Sequence, residues 1–510
     1  MTAVGAVAQR PRVAGIVVSA HPAATDAGRQ ILATGGNAVD AAVAAAWALC
    51  VCEPSGSGLG GQTVALVRTG GRAIAVDGHS RAPAGASRQV VSRAQQRRGY
   101  RATTVPTTPA TLAHLQSRYG RLSMADTLAP AIALAERGYV LTPLAHRQLR
   151  WCATALAATA AATRFLRAGR PYRPGETFRQ PRLAACLRRL AEAGAEDFYH
   201  GAIARSIDRD MRLHGGLLQL SDLAGLQAPV EREPLVGRYA GRAVLTLPAP
   251  GGGPQLLAAL AALARRSDDG DRPGGWHGAV AEAVLVAFED READHRAGPA
   301  QPGARPPAGH LAADERGGET SHLCAADDEG TVVSLTQSIQ SLFGAKVANA
   351  DYGFLYNNYL TTCPRRRHRH RLAAGCPARS NAAPTFVLAP AGDDGPEILA
   401  LGAAGSRRII SSLVQVISGV VDLGRPLPEA LAAPRVHPRL SGTVWLERPA
   451  ATPALVAALA RRHGTVEIRA EHSYAMGAVQ ALTLGAPTAG DRPRMAAAAD
   501  PRRDGSVGQW

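Results

Sequence analysis

Thr320 closes a stretch dense in Gly, Pro and Arg and opens an apolar run, RGGETSHLCAADDEGTVVSLTQSIQSLFG. A hydroxyl residue at that junction has what an N-terminal nucleophile requires. Backbone cleavage before Thr320 frees its own amine as general base for its own hydroxyl, so no separate histidine is needed. By residue type alone, a threonine at a strand start is usually a strand-former or a turn residue. Three other segments invite chemistry. SGSGLGG, Ser55 to Gly61, offers consecutive amides, but no GK[ST] follows and the segment leads into a strand pattern. It reads as a tight loop close to other backbone rather than a phosphate cradle. PAPGGGPQ, Pro248 to Gln255, reads as a turn before a helix. In RRRHRHR, Arg365 to Arg371, five arginines surround His368 and His370 with no acidic ligand nearby. That pattern opposes a metal and reads as a solvated loop or a clamp for an acidic substrate.

The elements that position these residues are those of a large folded chain. With 46% of its 510 residues hydrophobic and 19% charged, global disorder is excluded. The longest uncharged apolar run, Ala41 to Cys52, is too short to cross a bilayer, so no membrane association is expected. The formal charge of +16 is carried almost entirely by arginines spread along the chain, and aromatics are only 4%. No basic face with stacking platforms emerges, which argues against nucleic acid. The N-terminus lacks the pattern of a secretory signal, so a cytoplasmic location is expected. Seven cysteines do not suggest a disulfide framework, and Cys363 with Cys376 is the one pair worth testing for a bridge.

GIVVSA is a strand pattern, Thr25-Asp26 reads as the cap of an Ala-rich helix ended by Gly35-Gly36, and a second helix starts near Asn37 and carries Asp40. Leu59 to Val67 and Arg72 to Asp77, split by TGGR, read as a hairpin. Residues 107 to 265 read as mostly helical. A Gly/Pro-rich linker spans about 294–319. Strands follow at HLCAADD, TVVSLTQS and PTFVLAP, and helices return at Arg408 to Leu423 and Ala451 to Arg462. This segregation favours an α+β fold of stacked sheets covered by helices over a doubly wound parallel sheet.

Nearly the whole chain resembles the γ-glutamyltranspeptidase family of N-terminal-nucleophile hydrolases. VVSAHPAATDAGRQILATGGNAVDAAVAAA, EPSGSGLGG, RYGRLSMADTLAPAIALAERGY, FYHGAIA, SDLAGL, PAPGGGPQ, MGAVQAL and ADPRRDG follow in family order. The resemblance implies an αββα four-layer sandwich built from one precursor, cut between Glu319 and Thr320. The products are a helix-rich large subunit, 1–319, and a strand-rich small subunit, 320–510, which associate. It implies neither metal nor organic cofactor. In the family's TTH motif the first Thr is the nucleophile, and TSH at Thr320, Ser321 and His322 matches it. The supporting hydroxyl falls at Ser338, the oxyanion amides at Gly405 and Ser406 of GSRR, and the family's paired serines at Ser380 and Asn381.

The substrate grip departs from the family. The arginine that pairs with the glutamyl α-carboxylate is replaced by His79, with Arg81 as the candidate substitute. Tyr359 and Thr362 stand where the family has Gln and the ammonium-binding Asp, and Gln340 replaces an Asn. Losing one partner of a desolvated charge pair costs about 2 to 5 kcal/mol, so γ-glutamyl specificity is expected to fall. The expected function is therefore acyl transfer or hydrolysis on a small-molecule substrate with an altered acyl group. The alternatives are hydrolytic C–C cleavage, as implicated for the family branch that forms alkylproline units of lincomycin-like and pyrrolobenzodiazepine antibiotics, and an unprocessed, non-catalytic homologue.

Overall fold

The computed structural model describes residues 14–227, 229–265, 274–293, 318–365, 370–390, 392, 396–485 and 492–510. Among them two large sheets dominate. The first has seven strands, in spatial order Ser506–Gln509, Gly15–Ser19, Gly318–Asp327, Val332–Ser341, Gln62–Thr69, Arg72–Gly78 and Val230–Arg232. The second has six: Met495–Ala499, Ala478–Leu484, Ile398–Ala404, Thr385–Leu388, Arg242–Thr246 and Leu235–Tyr239. Both sheets mix strands from either side of the 319/320 junction, so the two portions of the chain share each sheet rather than forming separate bodies.

Side-chain alternation along the strands sorts the apolar residues into separate cores. Val18, Cys324 and Ala326 of the first sheet meet Phe386, Ala400 and Leu482 of the second in one cluster between the sheets. Leu323, Ala325, Val333 and Leu335 point the other way, into a cluster with the helices Pro22–Ala33, Ala38–Cys52 and Met124–Arg137. On the far side of the second sheet, Leu399, Leu401 and Val479 pack on the helices Gly253–Ala264, Gly275–Ala293 and Arg408–Val421. Where the two sheets approach most closely, only glycine fits. A Cβ on Gly402 would lie 2.1 Å from the His322 ring, so the imidazole occupies the space that a side chain there would need.

The helix Ala38–Cys52 is buried on its whole circumference, as its run of alanines allows. Asn37 caps it, and Asp40 completes a capping box while accepting from the Arg121 and Leu122 amides. The TGGR hairpin forms, with Gly70 and Gly71 at φ of 55° and 78°, the left-handed turn that glycine admits.

Three expectations need correction. The first helix starts at Pro22, not at Thr25-Asp26, because His21 caps it through its ring and Pro22 presets the first turn. Thr25 lies inside that helix and bonds Ser19 and the Ser506 carbonyl. The stretch 107–265 is not uniformly helical: Leu235–Tyr239 and Arg242–Thr246 form a hairpin on the edge of the second sheet. Of the linker placed at about 294–319, residues 294–317 lie outside the described residues, whereas Gly318 and Glu319 already belong to the strand Gly318–Asp327.

Candidate active site

The strand Gly318–Asp327 sits in the interior of the first sheet, paired with Gly15–Ser19 on one edge and Val332–Ser341 on the other. Thr320 and His322 share the face toward the second sheet, while Glu319 and Ser321 face the helices. Opposite Thr320 the ladder is irregular. Pairing runs from Val332 to Gln337, slips, and resumes with Gln340 opposite Glu319. This bulge is held by Gln340 at φ 82°, a left-handed conformation that a non-glycine residue adopts only at some cost. Its effect is to aim the Gln340 amide at Ser338 Oγ, 2.8 Å away. Accepting that hydrogen bond, Ser338 Oγ donates one of its own to the Glu319 carbonyl oxygen at 2.6 Å. The carbonyl of the Glu319–Thr320 bond is thus polarised by a hydroxyl whose direction the bulge sets.

Thr320 and Ser338 line a pocket with Gln340, Tyr359, Thr362, Ser380, Asn381 and Ser406, so eight of the sequence-derived site residues meet in one place. Gly405 does not line the pocket but immediately precedes Ser406: at the end of the strand Ile398–Ala404 its φ of 125° turns the chain into the helix Arg408–Val421. Ser406 follows at φ 59°, and its Cβ abuts Gly318 so closely that a Cβ there would come within 2.4 Å. The Ser406 side chain is therefore accommodated by a glycine across from it. Amides at a strand-to-helix turn suit stabilisation of a developing oxyanion. Burial pushes the Tyr359 phenol up to about 12, and it lies within reach of Ser338, Ser380 and Gln62. It is a neutral donor beside the hydroxyl pair.

Residues that the sequence reading did not single out complete the pocket. Arg291, Arg379 and Arg407 line it, and no carboxylate does among the described lining residues. Arg291 binds the Asn381 side-chain oxygen and the Ser380 carbonyl, the latter at 3.1 Å, and Arg379 Nε donates to the Thr362 carbonyl at 3.2 Å. The Gly-rich loop also has its partner. A Cβ on Gly56 would lie 3.4 Å from the Thr320 nitrogen, and one on Gly61 2.5 Å from the Ser338 carbonyl. The backbone that this loop approaches is that of the nucleophile strand and its neighbour.

His79 and Arg81 do not line the Thr320 pocket. They border a separate cavity of about 950 Å³ together with Asp77, Arg232 and His370. His79 Nδ1 and Asp77 Oδ1 are 2.6 Å apart, and Arg232 reaches the other Asp77 oxygen at 3.2 Å. Burial alone would raise the Asp77 carboxyl, but His79 and Arg232 outweigh it and bring it down to about 2. Of the run 365–371, residues 366–369 lie outside the described residues; Arg365 binds the Val91 and Arg88 carbonyls. Cys363 and Cys376 are free, buried thiols with sulfurs 3.9 Å apart. No cluster with metal-ligand character exists among the described residues.

His322, the third residue of TSH, is structural. It contacts Thr336, Cys324 and Ser334 between the sheets, and burial lowers it to about 3, so it stays neutral. Behind Thr320 lies a polar network that sequence reasoning missed. Ser57 Oγ donates to Ser321 Oγ at 2.6 Å, which donates to Glu53 Oε2 at 2.5 Å. Burial pushes the Glu53 carboxyl up to about 8 despite nearby Arg503. The one sequence signal was a carboxylate ending a fifteen-residue apolar helix, an expensive group to bury without a purpose.

The gamma-glutamyltranspeptidase family model matches residues 24–510. An acylase ACY 1 proenzyme from a Pseudomonas species is 34% identical over 499 residues, covering 89% of this chain and 87% of that protein. The glutathione hydrolase proenzyme of Escherichia coli is 29% identical over 474 residues, 83% of this chain and 80% of its own. The solved cephalosporin acylase of Bacillus halodurans matches with a TM-score of 0.83 at 27% identity, across 100% of this chain and 98% of that one. With a family match over nearly its whole length, and with Thr320, the bulged Ser338 hydroxyl and the strand-to-helix turn at one pocket, the chain belongs to the gamma-glutamyltranspeptidase family.

Proposed function

We propose that this chain is a self-processing threonine acylase: it cuts itself between Glu319 and Thr320, then uses Thr320 to take an acyl group from an amide. The observation that carries this reading is the 2.6 Å bond from Ser338 Oγ to the carbonyl of the bond to be cut. After cleavage the same hydroxyl sits beside the new Thr320 amine, and the turn at Gly405 and Ser406 supplies amides for the tetrahedral oxyanion. Three separate apolar cores, one between the sheets and one outside each, support an αββα four-layer arrangement. The proenzyme names of the acylase and the glutathione hydrolase support processing.

In this reading the acyl group is not γ-glutamyl. Tyr359 and Thr362 leave no carboxylate for an α-ammonium among the described lining residues, whereas Arg291, Arg379 and Arg407 bring positive charge to the pocket. That pocket suits an acyl chain ending in a carboxylate and lacking the ammonium. The test is turnover of a glutaryl anilide against a γ-glutamyl anilide by fully cut protein, with Thr320→Ala as blank. Thr320-dependent release that favours glutaryl supports the assignment. Preference for γ-glutamyl overturns the altered specificity, and release of neither anilide from fully cut protein moves the reaction to the ketone carbonyl of a C–C hydrolase. An uncut wild type, shown by intact mass, overturns self-processing.

A further inference from the structure

The residue before the nucleophile is unusually well held. Glu319 is 1% exposed, and Arg503 grips its carboxylate with both guanidinium nitrogens, Nη1 to Oε2 at 2.5 Å and Nη2 to Oε1 at 3.1 Å. Tyr474 donates its hydroxyl to the same carboxylate and receives a bond from Gln148 at 3.2 Å. The Arg503 guanidinium also lies over the Tyr474 ring, 4.7 Å from its centroid. Arg503 is itself anchored by the chain's tail, where Asp500 binds Arg435 and Arg502. None of these groups lines the Thr320 pocket; they stand on the helical side of the sheet, behind the bond to be cut.

We propose that Glu319, clamped by Arg503 and Tyr474, is the positioning residue for self-cleavage, fixing the scissile carbonyl against Ser338. The proposal rests on the reading that the chain cuts itself before Thr320. Its physical basis is the bulge. Beside residues 338 and 339 the ladder to the nucleophile strand is broken, so ladder bonds do not by themselves set the rotation of the Glu319 peptide. Three contacts set it instead: Ser406 against Gly318 in front, Ser338 on the carbonyl, and the Glu319 carboxylate locked behind. A bidentate guanidinium–carboxylate pair fixes orientation as well as distance.

The step balances without a co-reactant other than water. Thr320 Oγ adds to the Glu319 carbonyl carbon, the C–N bond to Thr320 breaks, and the hydroxyl proton ends on the Thr320 nitrogen. The resulting ester between Glu319 and Thr320 Oγ is hydrolysed by water, which restores the hydroxyl and leaves Glu319 as a new carboxyl terminus. An anchor of this kind acts on ester formation, where a misplacement of about 1 Å costs about 100-fold.

The experiment is a time course of cell-free synthesised chain followed by intact mass, for wild type, Glu319→Gln and Glu319→Ala. Glu319→Ala is expected to cut at least about tenfold more slowly, and Glu319→Gln, which keeps shape and part of the hydrogen bonding, to fall between it and wild type. Added hydroxylamine, which cleaves an accumulated ester, is expected to leave the Glu319→Ala rate low, because the slowed step precedes the ester. Cutting of Glu319→Ala at the wild-type rate overturns the anchor, and so does recovery of that rate with hydroxylamine. A wild type that stays whole overturns self-cleavage itself and the anchor with it. Circular dichroism melting of Glu319→Ala in a Thr320→Ala background checks that the chain is folded; should it not be, the Glu319→Gln rate decides alone, and a wild-type rate there overturns the proposal.

Discussion

The two faces of the strand Gly318–Asp327 are built on opposite principles. Toward the second sheet, Thr320 faces hydroxyls, a phenol and backbone amides in a pocket bordered by Arg291, Arg379 and Arg407 with no carboxylate among its described lining, and two residues there, Gln340 and Ser406, hold left-handed backbone that glycine would adopt more readily. Toward the helices, Glu319 and Ser321 end in fully buried charge and hydrogen-bond chains through Arg503, Tyr474, Glu53 and Ser57. The front keeps the Ser338 hydroxyl on the Glu319 carbonyl and opens into the pocket. The back also borders a cavity, lined by Glu53, Gln148 and Asp504, but its charged groups bind chiefly one another. The difference teaches that a strained face open to a pocket is held in register by a buried one whose charges are paired.

Breaking the front face is expected to have the largest effect. Ser338→Ala removes the donor on the Glu319 carbonyl, and loss of one such donor lowers a rate about 100- to 1,000-fold. Intact-mass kinetics check this, and near-normal cutting would falsify the role given to the bulge. Next comes the seam between the sheets. Gly402→Ala drives a Cβ into the His322 ring and is expected to cost about 1 to 3 kcal/mol by overpacking, read from denaturant unfolding of the uncut chain. A smaller change sharpens the pocket. Thr362→Asp returns a carboxylate to the site, and the glutaryl-to-γ-glutamyl turnover ratio is expected to fall on the order of tenfold.

Much of this arrangement was legible in the sequence, for reasons that differ by residue. Thr320, Ser338 and Gly405 could be placed because ordered motifs carry their spacing, and the flanking strands alternate cleanly. The hairpin Leu235–Tyr239 and Arg242–Thr246 also alternates, about a left-handed turn at Ala240 and Gly241, but Ala- and Arg-rich surroundings of helical period hid it. Glu53, Glu319 and Arg503 were not legible as a group. Their contacts join positions hundreds of residues apart, and no local pattern records which buried carboxylate an arginine from the tail will meet. His79 could be aligned to the family's arginine, yet it lines a different cavity, since motif order fixes the backbone and not where a replaced side chain finds its partner, here Asp77.

The buried face can be probed by pH. In the folded chain burial keeps the Glu53 proton on up to about pH 8, whereas the unfolded carboxyl releases it near 4.5. Between those values the folded state holds more protons, so stability must fall as pH rises. Glu319 and Asp504 nearby reinforce the shift, while Arg503 and the Ser321 hydroxyl oppose it. The buried imidazoles of His21, His277, His322 and His437, all lowered by burial, hold fewer protons folded than unfolded until the pH has risen well past 6.5, and so oppose that slope. The Glu53 contribution over pH 6.5 to 8 is therefore read as the difference between the uncut Thr320→Ala chain and the same chain with Glu53→Gln, and is expected to be a loss on the order of 1 kcal/mol, well short of the full linkage value because a relaxing interior rehydrates the carboxylate. Glu53→Gln keeps a neutral acceptor for Ser321 and leaves the histidine slope in place, so its profile should rise more steeply with pH. Equal slopes in the two proteins, measured by denaturant unfolding at each pH, would mean that Glu53 is already ionised in the uncut chain and that Arg503 is shared between two carboxylates rather than committed to Glu319.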